Sequence, residues 1–326
     1  MFDTNKPFWE ISEKIFLPYL ETSICARPFQ LYGDFSKAIF SNPAFELSNI
    51  YFIAENTKVR FIPEKTTVHR NGKIKFALQV ANKYSITHKM DLARLLLGDE
   101  MPQRFKSTIA GVKNLDHFRK KLNKWYSSTT TGISINKGKS TENYVVLDLY
   151  TSNMDAELPP IFPHDLIDLQ KIKIEGFPKI LYIGKSLQIK NRTSNHAKIQ
   201  RALSEVADNK DIFVNFIKFS AKKLIMNSPN DFIQTLKEPE ADYIEKEGLI
   251  NLVEMSLINY FKPIYNSNFV ESDIPSNKQV ENLLVANGFS QMVCEINFEA
   301  ESCFFGSDHI SPSFKHILMY QLSNKS

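Results

Sequence analysis

The sequence predicts an α+β fold, with a small antiparallel sheet flanked by helices, an N-terminal α+β domain and a C-terminal extension. Residues 49–80 contain alternating runs on either side of Asn71-Gly72, a dipeptide typical of β-hairpin turns. A short apolar strand ends at Gly184, and an apolar helical stripe occupies residues 241–260. This mixture of strands and helices predicts the α+β class.

Composition and charge restrict the class of protein. The chain has 326 residues, enough for two or three domains, and 43% hydrophobic with 23% charged residues is typical of a soluble globular protein. A net charge of +4 suits a polyanionic partner without requiring one. Three cysteines give no disulfide framework and fit a reducing cytosol. We find no signal peptide and no apolar run near the ~20 residues of a membrane span, so we expect a cytoplasmic protein.

The N-terminal part combines irregular structure with strands. Residues 1–50 are expected to be helical and irregular, and strands are expected at residues 49–53 and 58–62. The hairpin around Asn71-Gly72 follows, and its alternating pattern places basic side chains on one face. These side chains are Arg70, Lys73 and Lys75. Such a face is either a solvated strand surface or a β-ribbon that contacts DNA.

Two helices are expected after this hairpin. Thr87 is a candidate N-cap for a helix over residues 90–97, and a longer helix spans about residues 102–126. Basic side chains to which we assign DNA contacts on the longer helix are Arg119, Lys120 and Lys124. A short helix, a turn and a basic helix form either a helix-turn-helix or an ordinary α-hairpin. In both cases residues 50–126 are the candidate for DNA recognition, mainly through phosphate contacts.

Composition divides the chain into four segments. Residues 1–126 form the N-terminal domain, and residues 127–140, rich in Ser, Thr, Gly and Lys, form a linker. Residues 141–266 form the second domain. Residues 267–326 are an extension with one helix and two strands, expected either to wrap the second domain or to form an oligomer contact.

The second domain is expected to begin with a strand hairpin. Residues 144–150 form the first strand, and we expect it to pair antiparallel with residues 179–184. This pairing brings Tyr144, rather than Tyr150, close to Tyr182. The first two tyrosines share strand parity, so parity alone leaves both open.

The end of the second strand has the features of a phosphate site. Ser186 is able to cap a helix that opens after Gly184, and helix starts favour anions because their free N–H groups point outward. Arg192 and His196 lie four residues apart on this helix and project from one face. A phenol, an ammonium, a guanidinium and an imidazole therefore converge near the helix start. These groups belong to Tyr182, Lys185, Arg192 and His196.

A third strand and a long helix complete the second domain. The strand is expected at residues 211–220 and the helix at about residues 241–260. Glu254 lies on the flank of the apolar stripe of that helix, where a carboxylate reaches the rim of a cleft. Pro263 ends the helix.

These motifs together resemble the GIY-YIG nuclease family. The second half of the family motif is matched by Tyr182-Ile183-Gly184-Lys185-Ser186 with Ile189, Arg192 and His196. The metal-binding helix and its exit are matched by Glu254, Leu257 and Ile258 with Lys262-Pro263-Ile264-Tyr265-Asn266. The family's first motif, Gly-Ile-Tyr, is matched only by the tyrosine of Glu142-Asn143-Tyr144. The resemblance covers about residues 142–266, under half of the chain.

The resemblance implies a phosphodiester hydrolase with one divalent metal per site. Glu254 is the implied ligand of Mg²⁺, with Mn²⁺ as an alternative, because hard cations keep several waters and need few protein ligands. Arg192 is implied to hold a non-bridging phosphate oxygen through its fork of donors.

The remaining site residues are assigned in the same way. Tyr144 and Tyr182 are implied to line the cleft, one of them activating the water, with Lys185 or the metal as the cation that favours its deprotonated form. His196 is expected to carry a proton or bind phosphate. Asn266 is expected to hydrogen-bond near the cleft and lock the closing turn.

We therefore expect a metal-dependent endonuclease that cuts double-stranded DNA. Long insertions and flanking domains resemble type II restriction enzymes more than compact repair or homing nucleases. One such domain has one site, so cutting both strands of a palindrome requires a homodimer or homotetramer. A homing, repair or mobile-element nuclease is the alternative enzyme. A catalytically inactive DNA-binding module is the alternative from another class.

Overall fold

The protein is a mixed α+β structure with three sheets. A computed structural model describes residues 12–32, 36–69, 73–91, 132–151, 154–157, 160–170, 172–186, 197–227, 232–236, 246–267, 278–298 and 304–322. These residues contain fourteen strands and seven α-helices, which confirms the predicted α+β class. None of the helices in the described segments is long and apolar enough to cross a membrane.

The elements follow the chain in a mixed order. The strands are β1 (Ser12–Ala26), β2 (Ile50–Thr57), β3 (Val59–Phe61), β4 (Thr67–Val68), β5 (Lys73–Val80), β6 (Tyr84–Asp91), β7 (Gly132–Ile135), β8 (Leu147–Thr151), β9 (Met154–Glu157), β10 (Lys179–Lys185), β11 (Lys210–Asn227), β12 (Phe232–Leu236), β13 (Phe289–Asn297) and β14 (Lys315–Gln321). The helices are α1 (Pro28–Leu31), α2 (Ser36–Phe40), α3 (Pro43–Glu46), α4 (Pro163–Leu169), α5 (Ala197–Glu205), α6 (Lys246–Phe261) and α7 (Lys278–Ala286).

The main sheet has seven strands and organises the molecule. Its order is β10-β2-β11-β1-β13-β14, and β12 pairs with one end of β11. All neighbours are antiparallel except β1 and β13, which run parallel. Strand β11 lies at the centre because it is long enough to pair with β2, β1 and β12. Strand β10 lies at one edge of this order, so its outer backbone groups face other parts of the chain.

Strand β1 corrects the prediction for the N-terminal segment. Residues 1–50 are expected to be helical and irregular; three short helices do lie within residues 28–46, but residues 12–26 form a 15-residue strand. It pairs with β11 from Ser12 opposite Asn227 to Ala26 opposite Val214. Most of its described side chains are buried or half-buried on both faces. The sequence therefore lacks the alternation of polar and apolar residues that would predict a strand.

The predicted domain boundaries are also wrong. The main sheet takes β1 and β2 from residues 1–126, β10 and β11 from residues 141–266, and β13 and β14 from residues 267–326. The three segments therefore share one sheet. The extension adds two strands to that sheet, while its predicted elements themselves are confirmed as α7, β13 and β14. The predicted third strand and long helix are likewise confirmed as β11 and α6.

Two smaller sheets lie outside the main one. The second has the order β3-β5-β4 with β6 on β5, and the third has the order β7-β8-β9. Antiparallel pairing of β4 with β5 confirms the predicted hairpin strands. Thr87 is not a helix cap, because it lies within β6 opposite Ala77. The predicted linker is also wrong in part, since β7 lies inside residues 127–140 and pairs with β8.

The second and third sheets share a core distinct from those of the main sheet. Its buried apolar side chains include Val59, Phe61, Phe76, Leu78, Val145 and Leu147. Strands of the predicted N-terminal domain therefore pack against residues beyond the predicted linker. Burial of each such side chain stabilises the fold by about 1.5–3 kcal/mol, and residues from both sides of residues 127–140 take part.

Helices α6 and α5 cover opposite faces of the main sheet. On one face, Ile50 and Phe52 of β2 pack with Val253 and Leu257 of α6. On the other face, Tyr51 and Ile53 of β2 pack with Ile199 and Ala202 of α5. Side chains alternate along β2 because successive residues of a strand point to opposite faces. We call these the α6 face and the α5 face.

Candidate active site

The neighbour of β10 in the main sheet is β2. Gly184 of β10 lies opposite Tyr51 of β2, and Lys185 lies opposite Ile50. The prediction that residues 144–150 pair with β10 is therefore wrong. Residues 147–151 form β8, which pairs with β7 and β9 in the third sheet.

Tyr144 is correspondingly misplaced in the predicted site. It lies on the segment between β7 and β8, where its carbonyl oxygen accepts a hydrogen bond of 2.9 Å from the backbone N–H of Thr141. Its ring packs edge-on against Phe162, with centroids 6.1 Å apart. It is not on the strand beside Tyr182, because antiparallel pairing of β10 with an earlier strand takes that place.

Tyr51 is the tyrosine that lies next to Tyr182. The two ring centroids are 5.9 Å apart with an angle of 41° between the ring planes. A Cβ atom on Gly184 would lie 2.5 Å from the Tyr51 hydroxyl and 2.7 Å from Cε1 of Tyr182. Glycine at residue 184 is therefore what allows both phenols to converge there on the α5 face.

Asn266 fixes the backbone between these side chains. Its Oδ1 accepts a hydrogen bond of 2.9 Å from the Ile183 N–H, and its Nδ2 donates one of 2.8 Å to the Ile183 carbonyl. The neighbouring Tyr265 N–H donates to the Leu181 carbonyl at 2.9 Å. The segment after α6 thus runs along the open edge of β10, and Asn266 pairs with it as a strand residue would. Asn266 is a positioning residue for the Tyr182-Ile183-Gly184 segment.

Glu254 meets Lys185 on the α6 face. The Lys185 ammonium lies 3.5 Å from Oε2 of Glu254, whose side chain is 12% exposed. The same ammonium donates a hydrogen bond to Oδ1 of Asn251. Asn251 and Glu254 are three residues apart on α6, so they share one face of the helix. A carboxylate, an amide oxygen and an ammonium are thus gathered at the end of β10.

The phenols and the carboxylate approach the same strand end from opposite faces. Tyr51 packs on the α5 face, whereas Ile50 packs on the α6 face. Gly184 and Lys185 are their register partners, so the side chain of Lys185 points away from the phenols and towards Glu254. The structure therefore brings Tyr182, Lys185, Glu254 and Asn266 to one end of the β10–β2 pair, without placing Lys185 beside a phenol.

Helix α5 adds positive charge on the side of the phenols. The Lys198 ammonium lies 5.7 Å from the ring centroid of Tyr182 and donates a hydrogen bond of 3.1 Å to the Tyr265 carbonyl. The Arg201 guanidinium stacks over the Tyr265 ring at 4.6 Å. Lys198 therefore places positive charge beside Tyr182, whereas Arg201 lies against Tyr265 in the segment after α6.

Tyr265 is held as a neutral phenol. Its hydroxyl donates a hydrogen bond of 2.8 Å to Oε2 of Glu205. Burial, with the neighbouring Glu205 carboxylate, raises the pKa of Tyr265 to about 12. The hydrogen bond from Arg201 lowers the pKa of Glu205, so that carboxylate stays ionised as the acceptor. Tyr265 is therefore a structural phenol and no candidate for activating a water.

Two predicted site residues lie outside the described part of the chain. Arg192 and His196 belong to residues 187–196, which separate the end of β10 from α5. Of the predicted DNA contacts, Lys73 and Lys75 lie on β5, with Lys73 exposed and Lys75 half-buried. The other four lie outside the described residues and are Arg70, Arg119, Lys120 and Lys124. Strand β5 belongs to the second sheet, whose core is separate from those of the main sheet.

Sequence reasoning missed Tyr51, Asn251 and Lys198. Tyr51 had a visible signal in the sequence. It lies in an apolar strand directly after Asn49-Ile50, and Ile50-Tyr51 matches the last two residues of the Gly-Ile-Tyr motif. The strand was assigned to another domain only because it precedes β10 by a long stretch of chain. Asn251 lies one helical turn before Glu254, which was the available signal for it.

Metal-binding chemistry at this site rests on few side chains. Within the described residues, no group of three or more His, Cys, Asp or Glu side chains is placed to hold a metal ion. A cation near Glu254 would take one carboxylate together with neutral oxygens and water, which suits Mg²⁺.

No protein-family model matches the chain, and neither a curated protein nor a solved structure matches it.

Proposed function

We propose that this chain is a metal-dependent endonuclease of the GIY-YIG type, and that it cuts double-stranded DNA at specific sequences as a type II restriction enzyme. The observation that carries the proposal is the packing of Tyr51 and Tyr182 around Gly184 on adjacent strands. Ile50-Tyr51 supplies the last two residues of the family's Gly-Ile-Tyr motif on the strand beside Tyr182-Ile183-Gly184. Tyr51 thus replaces Tyr144 as the first-motif tyrosine.

The surroundings of this pair support the same proposal. Strands β10, β2 and β11 are consecutive and antiparallel within the seven-stranded sheet, with α5 and α6 on opposite faces, so the antiparallel unit expected of the family is part of a larger, mixed sheet. Asn266 follows α6 and fixes Ile183, as expected of the exit motif. Glu254 lies on α6 close to the end of β10, as expected of the metal-binding helix.

Hydrolysis of a phosphodiester requires a base for water and a stabilised phosphate. The water oxygen bonds to phosphorus, the bond from phosphorus to the leaving sugar oxygen breaks, and that oxygen takes up a proton. The phenolate form of Tyr51 or of Tyr182 accepts the proton from the water. Arg192, in the segment that follows β10, is proposed to hold a non-bridging oxygen, and Lys198 adds positive charge on the same face.

The residues present are suited to a divalent metal ion. Glu254 offers a carboxylate oxygen and Asn251 an amide oxygen, and an ammonium already lies against both. When bound, Mg²⁺ or Mn²⁺ supplies positive charge for the phosphate and the leaving oxygen. Glu254 is the residue proposed to hold it.

The proposal also includes contacts with DNA and an assembly of several copies. The exposed Lys73 and the half-buried Lys75 on β5 are proposed to contact the phosphate backbone. One copy carries one site, so two copies, or four, are proposed to act on a palindromic sequence. Light scattering of the purified protein, alone and with duplex DNA, measures this assembly.

Plasmid cleavage tests the proposed activity. Wild type, Glu254→Gln and the control Glu64→Gln are incubated with supercoiled plasmid in Mg²⁺; Glu64 is exposed in the turn before β4. We expect discrete fragments from wild type and from Glu64→Gln, and uncut plasmid with Glu254→Gln. A smear in place of discrete bands would indicate a non-specific defence or repair nuclease.

A catalytically inactive DNA-binding module is the competing function. The ion pair between Lys185 and Glu254 favours it, because a permanent lysine partner would leave the carboxylate unable to hold a metal. Duplex binding by wild type without cleavage in either Mg²⁺ or Mn²⁺ would support the inactive module and contradict the nuclease.

A further inference from the structure

The Lys185 ammonium occupies a position between two oxygen atoms of α6. It donates to Oδ1 of Asn251 and lies 3.5 Å from Oε2 of Glu254. A positive charge is thus already bound by an amide oxygen and a carboxylate oxygen. The same two oxygens are of the type that hard divalent cations prefer.

The surroundings hold the two oxygens in place and leave the lysine partly exposed. On either side of Asn251, the α6 residues Ile250 and Val253 are buried in the core of the α6 face, which fixes the orientation of the helix. The Lys185 side chain is 39% exposed and the Glu254 side chain 12% exposed. The carboxylate is therefore largely shielded from water, whereas the lysine is able to move into solvent.

We propose that Asn251 and Glu254 form one two-oxygen cation site, and that Lys185 occupies it in competition with a divalent cation. This inference rests on the proposed function and adds Asn251 as the second protein ligand. The carboxylate and the amide cannot bind an ammonium and a metal ion with full affinity at the same time. The metal site therefore opens fully only when the lysine leaves.

A DNA phosphate provides the reason for the lysine to leave. Lys185 ends β10 directly after Gly184, and its side chain lies on the α6 face, whereas the tyrosine pair lies on the α5 face of the same strand end. A phosphate bound there offers the ammonium a negative charge in exchange for that of Glu254. Binding of DNA and of the divalent cation is then positively coupled, and such coupling is reciprocal.

Binding of Mn²⁺ to the full-length protein without DNA tests the competition. Free Mn²⁺ is measured by electron paramagnetic resonance with wild type, Lys185→Met and Lys185→Gln, and with Lys83→Met as a matched control at an exposed turn. We expect both Lys185 variants to bind Mn²⁺ about 5- to 150-fold more tightly than wild type, the range of typical coupling energies. Lys83→Met should bind as wild type does. Equal or weaker binding by the Lys185 variants would overturn the inference.

A second set of variants tests the role of Asn251. Lys185→Met combined with Asn251→Ala should lose most of the gain, whereas combination with Glu254→Gln should abolish site binding and so define the background. If the variant with both Lys185→Met and Asn251→Ala retained the full gain, Asn251 would not be a ligand. Thermal unfolding of each variant identifies any that fails to fold, and Lys185→Gln replaces Lys185→Met if that one does.

Addition of a short DNA duplex tests the coupling. After subtraction of the Glu254→Gln background, Mn²⁺ affinity of wild type should rise with the duplex, while Lys185→Met should show no further gain. An equal rise in both would overturn the exchange of partners. Plasmid cleavage that depends on Glu254, with no effect of Lys185→Met on Mn²⁺ binding, would leave the nuclease standing and remove this inference. Tighter Mn²⁺ binding by Lys185→Met without cleavage by wild type would do the reverse.

Discussion

The hydroxyl of Tyr51 lies where a side chain on Gly184 would begin, 2.5 Å from the position of its Cβ atom. These two residues are direct partners in the β10–β2 register. The glycine therefore has a role in packing. It leaves the space in which two phenols from adjacent strands approach each other, and this relationship leads to tests of both activity and stability.

Replacement of Tyr51 by phenylalanine should lower cleavage without unfolding the protein. The ring and its packing remain, while the hydroxyl proposed to act on water is lost. Loss of a positioned proton-transfer group lowers rates by about 10²- to 10⁴-fold. Single-turnover plasmid cleavage measures the change for Tyr51→Phe and Tyr182→Phe.

Tyr144→Phe is the control for this comparison. Its ring packs against Phe162 on a segment of the third sheet, so cleavage should stay near the wild-type rate. Loss of activity in Tyr144→Phe, with full activity in Tyr51→Phe, would show that the β10–β2 pair does not form the site.

Replacement of Gly184 by alanine should destabilise the protein. The added methyl group would overlap with the phenols of Tyr51 and Tyr182, and forcing extra atoms into a packed site costs about 1–3 kcal/mol. Urea unfolding followed by circular dichroism measures the free energy of unfolding. Gly138→Ala is the matched control, because the nearest atom to its new Cβ is 3.6 Å away, an ordinary contact. Equal stability of both variants would contradict the close approach at Gly184.

Asn266→Asp tests the amide that brackets Ile183. The carboxylate still accepts from the Ile183 N–H, but its second oxygen faces the Ile183 carbonyl where Nδ2 now donates. The variant loses one hydrogen bond and leaves a carboxylate oxygen facing the Ile183 carbonyl oxygen. This should lower the free energy of unfolding by about 1–3 kcal/mol. Ser267→Asp adds the same charge at the next, exposed position and should change little.

Acid should partly rescue Asn266→Asp. A protonated carboxylic acid regains a donor for the Ile183 carbonyl, so the loss relative to wild type should shrink as the pH falls through the range where aspartate protonates. A loss that stays constant with pH, or that Ser267→Asp reproduces, would mean that the paired hydrogen bonds do not stabilise this segment.

Much of the local structure was predictable because it leaves a local signal. Strand β5 alternates between polar and apolar residues, β11 contains a short apolar run, and α6 is a mostly apolar segment of helical length. The same holds for Glu254, which sits beside a recognisable stripe. Local patterns of this kind do not depend on which segment pairs with which.

Strand pairing was not predictable, because register partners far apart in the chain leave no local signal. The sequence of β2 predicts an apolar strand whether it pairs within the N-terminal segment or with β10. Only the register in the folded protein places Tyr51 against Gly184. Strand β1 lacks alternation because both of its faces are largely covered. The error at Tyr144 follows from assuming that consecutive strands of one segment must pair.

Stability should fall in mild acid because of His316. Its Nε2–H donates to the Phe305 carbonyl at 3.0 Å, and Nδ1 accepts from the Tyr260 hydroxyl at 3.2 Å. Burial lowers the pKa of His316 below its ordinary value of 6.5, even though the bond to Phe305 acts in the opposite direction. The unfolded chain then binds the proton more readily than the folded one. The free energy of unfolding therefore decreases as the pH drops below about 6.5 and stops changing once the folded-state pKa is passed.

Urea unfolding between neutral pH and mild acid measures this dependence for wild type and two variants. His316→Gln keeps a donor for the Phe305 carbonyl but removes the titrating ring, so its unfolding free energy should depend less on pH. His309→Gln removes an exposed histidine and should keep the wild-type slope. If His309→Gln flattened the dependence and His316→Gln did not, the buried His316 ring, which extends from β14 against α6, would not be the group that links protonation to unfolding.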